Sequence, residues 1–176
     1  MISKIFSIFI MTLMMSFQVL AKAPLLDLNK LIKCPGSQTD VIPQAIQGEY
    51  GTLHSDPDDV TEVIIGDNGI QQISNWKEIV PRDKVYLTEE QFNEEGYCLE
   101  QKIEEQNGQL KISVNITKNF SHFLYQYNES NKMTVTFSAN ATPFYDAERY
   151  SCGRVVVLPA CRVSFSGQES LVRLNH

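Results

Sequence analysis

Residues that usually carry chemistry are scarce in this 176-residue chain. It has three histidines, His54, His122 and His176, and no Gly-x-Ser-x-Gly motif. A nucleophile activated by an oriented base therefore has little to be built from. His122 lies among Phe120, Phe123 and Tyr125 and reads as a packed or surface strand residue, and His176 is the terminal residue. There is no Cys-x-x-Cys, and no histidine stands at ligand spacing from a cysteine, which argues against zinc. The carboxylate pairs Glu89-Glu90, Glu94-Glu95 and Glu104-Glu105 are chain neighbours whose side chains diverge, so adjacency makes no acid–base pair. No dense basic cluster occurs and acids outnumber bases by 21 to 15, which argues against nucleic acid as a partner. His54 with Asp56, Asp58 and Asp59 is the densest set of ligand-type side chains. Val60 and Thr61 break the EF-hand pattern there, and the segment reads as an acidic turn capped by its own side chains. No metal or cofactor is expected.

What is present begins with an export signal over residues 1–21. Lys4 supplies its charged start, Ile5 to Leu20 its apolar run, and Val19-Leu20-Ala21 the residues before a cut after Ala21. The mature chain, 22–176, is expected to be a single domain, secreted or periplasmic, with no later stretch long and apolar enough for a helical span. All four cysteines lie in it, and in an exported chain an even count reads as disulfides. Cys34–Cys98 and Cys152–Cys161 are the favoured pairs, the second on proximity in sequence. Sequons stand at Asn115, Asn119, Asn128 and Asn140, and they mean glycans only in a eukaryotic secretory pathway.

Strand signals dominate the mature part. Asn107-Gly108 suits a two-residue type I′ turn, and the following arm alternates Leu110, Ile112, Val114 and Ile116 against polar residues. Pairing Gln106 with Gln109 sets Ile103 opposite Ile112 and Leu99 opposite Ile116, so turn and pattern agree on one register. Pro24 to Lys33 reads as a short helix, with Leu25, Leu28, Leu31 and Ile32 on one face. Thr88 to Gly96 reads as a second, with a Thr88/Gln91 capping box, a Leu87–Phe92 staple and Gly96 at its end. Gly48 to Leu53 is a first strand, and Val60 to Ile65 and Ile70 to Ser74 form a hairpin of open register. Ser121 to Tyr127 and Lys132 to Ala139 are strands joined by Asn128 to Asn131, and Thr142 to Tyr150 is irregular or a short helical turn. Arg154 to Leu158, Ala160 to Ser166 and Leu171 to Leu174 are the last strands, with Pro159 forcing a break, bulge or edge. The result is a mainly β fold, an antiparallel barrel or a sandwich, with one or two short helices. Meander order favours the barrel, which resembles lipocalin-like barrels in architecture, with Tyr50 where that family usually has Trp.

Fourteen aromatic residues lie in the mature part, nine of them after residue 118. Tyr125, Tyr127, Phe137, Phe144, Tyr145 and Tyr150 are the candidate lining of a binding cavity or contact surface, against the commoner alternative that they fill a core. The expected function is that of an exported, non-enzymatic binding protein taking a small apolar molecule or a protein partner. If the interior is filled, the loops Ser55 to Asp59 and Thr142 to Ser151 become the working surface. The alternatives are a secreted hydrolase with a site assembled from scattered residues, and a small outer-membrane β-barrel.

Overall fold

The structure, a computed structural model, describes residues 25–37, 41–52, 61–74, 87–123, 125–139, 142–155 and 158–174. The signal segment, the His54–Asp59 turn, Asn140 and His176 fall outside them. Among the described residues, nine strands form one antiparallel sheet: β1 (Leu26–Asp27), β2 (Gly48–Thr52), β3 (Glu62–Gly66), β4 (Gly69–Ile73), β5 (Tyr97–Gln106), β6 (Gln109–His122), β7 (Tyr125–Ser138), β8 (Phe144–Val155) and β9 (Leu158–Arg173). Their order across the sheet is β1-β4-β3-β2-β9-β8-β7-β6-β5, and the sheet does not close edge to edge. One short helix, α1 (Glu89–Glu94), leads into β5.

The strongest local signals fold as expected. Asn107 and Gly108 take φ of 55° and 72°, and Gln106 faces Gln109, Ile103 faces Ile112 and Leu99 faces Ile116. Thr88 and Gln91 form the reciprocal capping box, Phe92 is buried, and Gly96 ends the helix at φ 85°. The early hairpin resolves to a two-residue turn, Asp67-Asn68, between β3 and β4, with a register shift at Ile64/Ile65. The shift re-phases the strand within the hairpin, so turn length alone could not fix which residues share the apolar face.

Four readings are corrected. Pro24 to Lys33 is no helix in its described part: it is β1, a single 3-10 turn at Leu28–Lys30, and extended chain. Asp27 caps that turn by accepting from the Asn29 amide, while the backbone on either side is drawn into pairing with the sheet. Asn128 to Asn131 is not a turn but the middle of β7. Thr142 to Tyr150 is largely β8, and the last strand candidates merge into the end of β8 and one long β9, with Pro159 where β9 pairs with β8 alone and is an edge.

One buried cluster joins the far sides of the sheet. It holds Val63, Ile65, Ile70 and Ile73 from β3 and β4 together with Leu99, Ile112, Val114, Ile116, Met133 and Val135 from β5 to β7. The stretch Leu26–Cys34 binds both edges of the sheet. Leu26 pairs with Ile73 on β4, while the Leu99 amide donates to the Ile32 carbonyl (2.7 Å) and the Cys34 amide to the Leu99 carbonyl (2.8 Å) on β5. The Cys34–Cys98 disulfide fastens the second attachment, and Cys152–Cys161 joins directly opposed residues of β8 and β9. Both pairings are those the sequence favoured, and they fit an oxidising extracellular or periplasmic compartment. No helix among the described residues is long and apolar enough to cross a membrane.

Candidate functional site

Strands β6 to β9 outrun the rest of the sheet. β5 begins opposite Lys118, and β2 meets β9 only at Leu171–Arg173. Beyond Lys118 the ladder continues through four more rows, from Asn119/Asn128/Cys152/Cys161 to His122/Tyr125/Val155/Leu158. Residues alternate between the two faces of this projection. One face continues the core side: below it lie Val114, Met133 and Ala147, then Ile116 and Asn131, then Lys118, Glu129 and Ser151.

At the base of that face sits a buried carboxylate. Glu129 is 1 % exposed and accepts from the Tyr97 hydroxyl (3.1 Å), the Tyr127 hydroxyl and the Asn131 amide (3.0 Å). Asn131 also donates to the Ile116 carbonyl (3.2 Å), which leaves its Oδ1 without a partner among the described residues. Burial, reinforced by the adjacent Glu129 charge, holds the Tyr97 hydroxyl protonated well beyond the usual tyrosine range. Burial and the hydrogen bond to Glu129 push Tyr127 up to about 12. Lys118 lies over the Tyr97 ring, 4.9 Å from its centre, and reaches Glu95 at 3.4 Å. With its oxygens taken up by three donors inside the fold, Glu129 is a structural acceptor; a general acid or base must be reachable by substrate.

Above it the same face becomes an exposed aromatic ledge. Tyr125 and Tyr127 are parallel within 10°, with ring centres 6.3 Å apart, and Phe120 stands 6.2 Å from Tyr125. Phe120 is 50 % exposed and Phe123, just past the end of β6, is 94 % exposed. The opposite face holds an open cleft of about 410 Å³. By alternation its walls are Asn119, Asn128, Gln126, Tyr150, Arg154 and the Cys152–Cys161 bridge, floored by the backbone of Phe120, Tyr127 and Gly153. The Tyr150 hydroxyl donates to Cys161 Sγ at 3.5 Å. Lower on that face a groove of about 270 Å³ runs between Glu104, Lys111, Lys132, Asp146 and Glu148. Its Glu104 carboxyl is held below the usual range by a hydrogen bond from Lys102.

The six aromatic candidates are therefore divided. Tyr125 and Tyr127 come together on the ledge. Tyr145 is buried in the core with its hydroxyl 3.3 Å from Thr61 Oγ1, and Phe137 packs edge-on against Tyr50 with ring centres 5.4 Å apart. Phe144 and Tyr150 are half-buried on the opposite face. Glu129 and Asn131 escaped the sequence reading because their polarity looked like a turn. The signal against a turn was parity: Tyr125, Tyr127, Glu129, Asn131, Met133 and Val135 keep one period-2 phase across the supposed interruption. Among the described residues no three His, Cys, Asp or Glu side chains gather as a metal site. In comparisons with known proteins, the chain matches no protein-family model, no curated protein and no solved structure.

Proposed function

We propose that this is an exported, non-catalytic binding domain that works through the projecting end of β6–β9. The observation that carries the reading is the core-side face of the sheet running out beyond the core as a ledge of exposed Phe120 and Tyr125 backed by half-buried Tyr127, with exposed Phe123 past it. Large exposed apolar patches on soluble domains mark contact sites. The reading includes a sheet wrapped into an incomplete barrel, its gap spanned by Leu26–Cys34; the pairing of that stretch with both edge strands supports this. It also favours a filled interior over a ligand cavity, because Ile112, Val114, Val135 and Tyr145 occupy the inward positions with at most 2 % exposure. The exposed charges Glu104, Lys132, Asp146 and Glu148 on the outward face support a wet wall rather than a lipid-facing barrel.

The test is a titration of the mature protein with an apolar fluorescent probe. Phe120→Ser and Phe123→Ser are expected to weaken probe binding several-fold, and Phe137→Ala, in the packed region, to leave it unchanged. Binding that follows Phe137 and ignores the two surface changes would move the site inside. Turnover of a general ester, peptide or glycoside substrate by pure protein would overturn the non-catalytic reading.

A further inference from the structure

Resting on that reading, we propose that the projecting end docks on an anionic lipid surface, aromatic tip first. Charge is the first ground. Residues 118–128 and 149–168 contain Lys118, Arg149, Arg154 and Arg162 and no Asp or Glu, in a chain where acids outnumber bases by 21 to 15. The neighbouring Glu129 is buried and hydrogen-bonded. Lys118 is engaged with Glu95, so the exposed Arg154 and Arg162 carry the attraction.

Shape is the second ground. The β6–β7 and β8–β9 hairpins finish level, because His122, Tyr125, Val155 and Leu158 form one row. A level end on a projecting sheet meets a plane, and the cleft beside it opens on the outer face rather than at the end. Depth is the third. From the last row back to Lys118 and Arg162 is four residues, roughly 13 Å at the rise of an extended strand. Interfacial elements bury their apolar side about 5–10 Å into the headgroup boundary. Immersion of Phe123 and Tyr125 to that depth leaves Arg162 at the level of the phosphates and Tyr125 where amphipathic rings collect.

The experiment is co-sedimentation of the mature protein with vesicles of phosphatidylcholine alone and of phosphatidylcholine mixed with phosphatidylglycerol. Binding to the mixed vesicles, weakened by salt and slight on phosphatidylcholine alone, is the expected result. Arg154→Gln and Arg162→Gln should each lower the partition about fivefold, Phe123→Ser should lower it further, and Lys111→Gln, in the outer groove, should not change it. Unchanged thermal melting of these surface variants excludes misfolding as the cause. Equal partition to both vesicle types, no partition, or indifference to the arginine changes would overturn the proposal, as would full displacement by a soluble polyanion at matched charge. If vesicles are ignored while Phe120→Ser and Phe123→Ser still weaken probe binding, the lipid assignment fails and the binding end stands; if neither assay responds to the tip, both readings fail.

Discussion

A carboxylate at 1 % exposure persists in this fold because Tyr97, Tyr127 and Asn131 all donate to it. Glu129→Ala leaves those donors buried without their acceptor and should lower stability by about 2–5 kcal/mol. Glu129→Gln keeps the shape and one carbonyl oxygen and should lose about 1–2 kcal/mol. Urea unfolding of the two variants measures the difference, and equal losses would mean that the shape and single carbonyl oxygen kept by Gln contribute nothing, so that both carboxylate oxygens are required. The tyrosines add a pH dependence. Tyr127 releases its proton at about 12 in the folded state against 10.0 for a free tyrosine. The folded chain then binds more protons than the unfolded one between those values, so stability falls as pH rises. This contribution is intact below about pH 10 and lost as pH passes through about 12. Tyr127→Phe should flatten that alkaline loss in melting curves recorded across the same range, and an unchanged slope would remove Tyr127 as its source.

Among the elements, the β5–β6 hairpin is the one whose register follows from sequence alone. Gly108 sits at φ 72° with nothing within 4 Å of where a Cβ would stand, so a side chain there meets only backbone strain. Gly108→Val should cost about 1–2 kcal/mol, read as a lowered melting temperature; a variant that melts with the wild type would show that the turn tolerates the change by shifting register. Elsewhere, legibility followed whether local chemistry or distant pairing decided the conformation. The Thr88/Gln91 cap and the Asn107-Gly108 turn are closed by residues a few positions apart, and the sequence displayed both. Pro24 to Lys33 had a helical spacing, yet in its described part the backbone partners lie on β4 and β5, and those hydrogen bonds outweighed a weak local preference. β7 was read as two pieces because Glu129 and Asn131 look like turn residues until Tyr97 on β5 and the Ile116 carbonyl on β6 are brought to them, and no local window contains those partners. For the candidate site, the aromatic enrichment after residue 118 was visible, and Tyr125 and Tyr127 were named. The division between ledge and core was not, since it depends on where β5 stops alongside β6.

For the molecule as a whole, the two disulfides serve different ends. Cys152–Cys161 closes nine positions within one hairpin, whereas Cys34–Cys98 spans 64 and fixes the N-terminal stretch to β5. Replacing both Cys34 and Cys98 by Ser should cost about 4 kcal/mol in the chain-entropy model, against about 3 kcal/mol for the Cys152/Cys161 pair. Hydrogen exchange should then rise at the Cys34 and Leu99 amides in the first variant only; equal exchange in both would show that the attachment holds without the bond. Because Leu26–Cys34 bonds to both margins of the sheet, it also acts as a terminator. Open strand margins are templates on which sheets polymerise. A population in which this segment has let go offers β4 and β5 together, two adhesive seams on one particle, and two seams are what a growing fibre requires. Loss of the Cys34–Cys98 link, which fastens the β5 side alone, would loosen the β5 seam of the two.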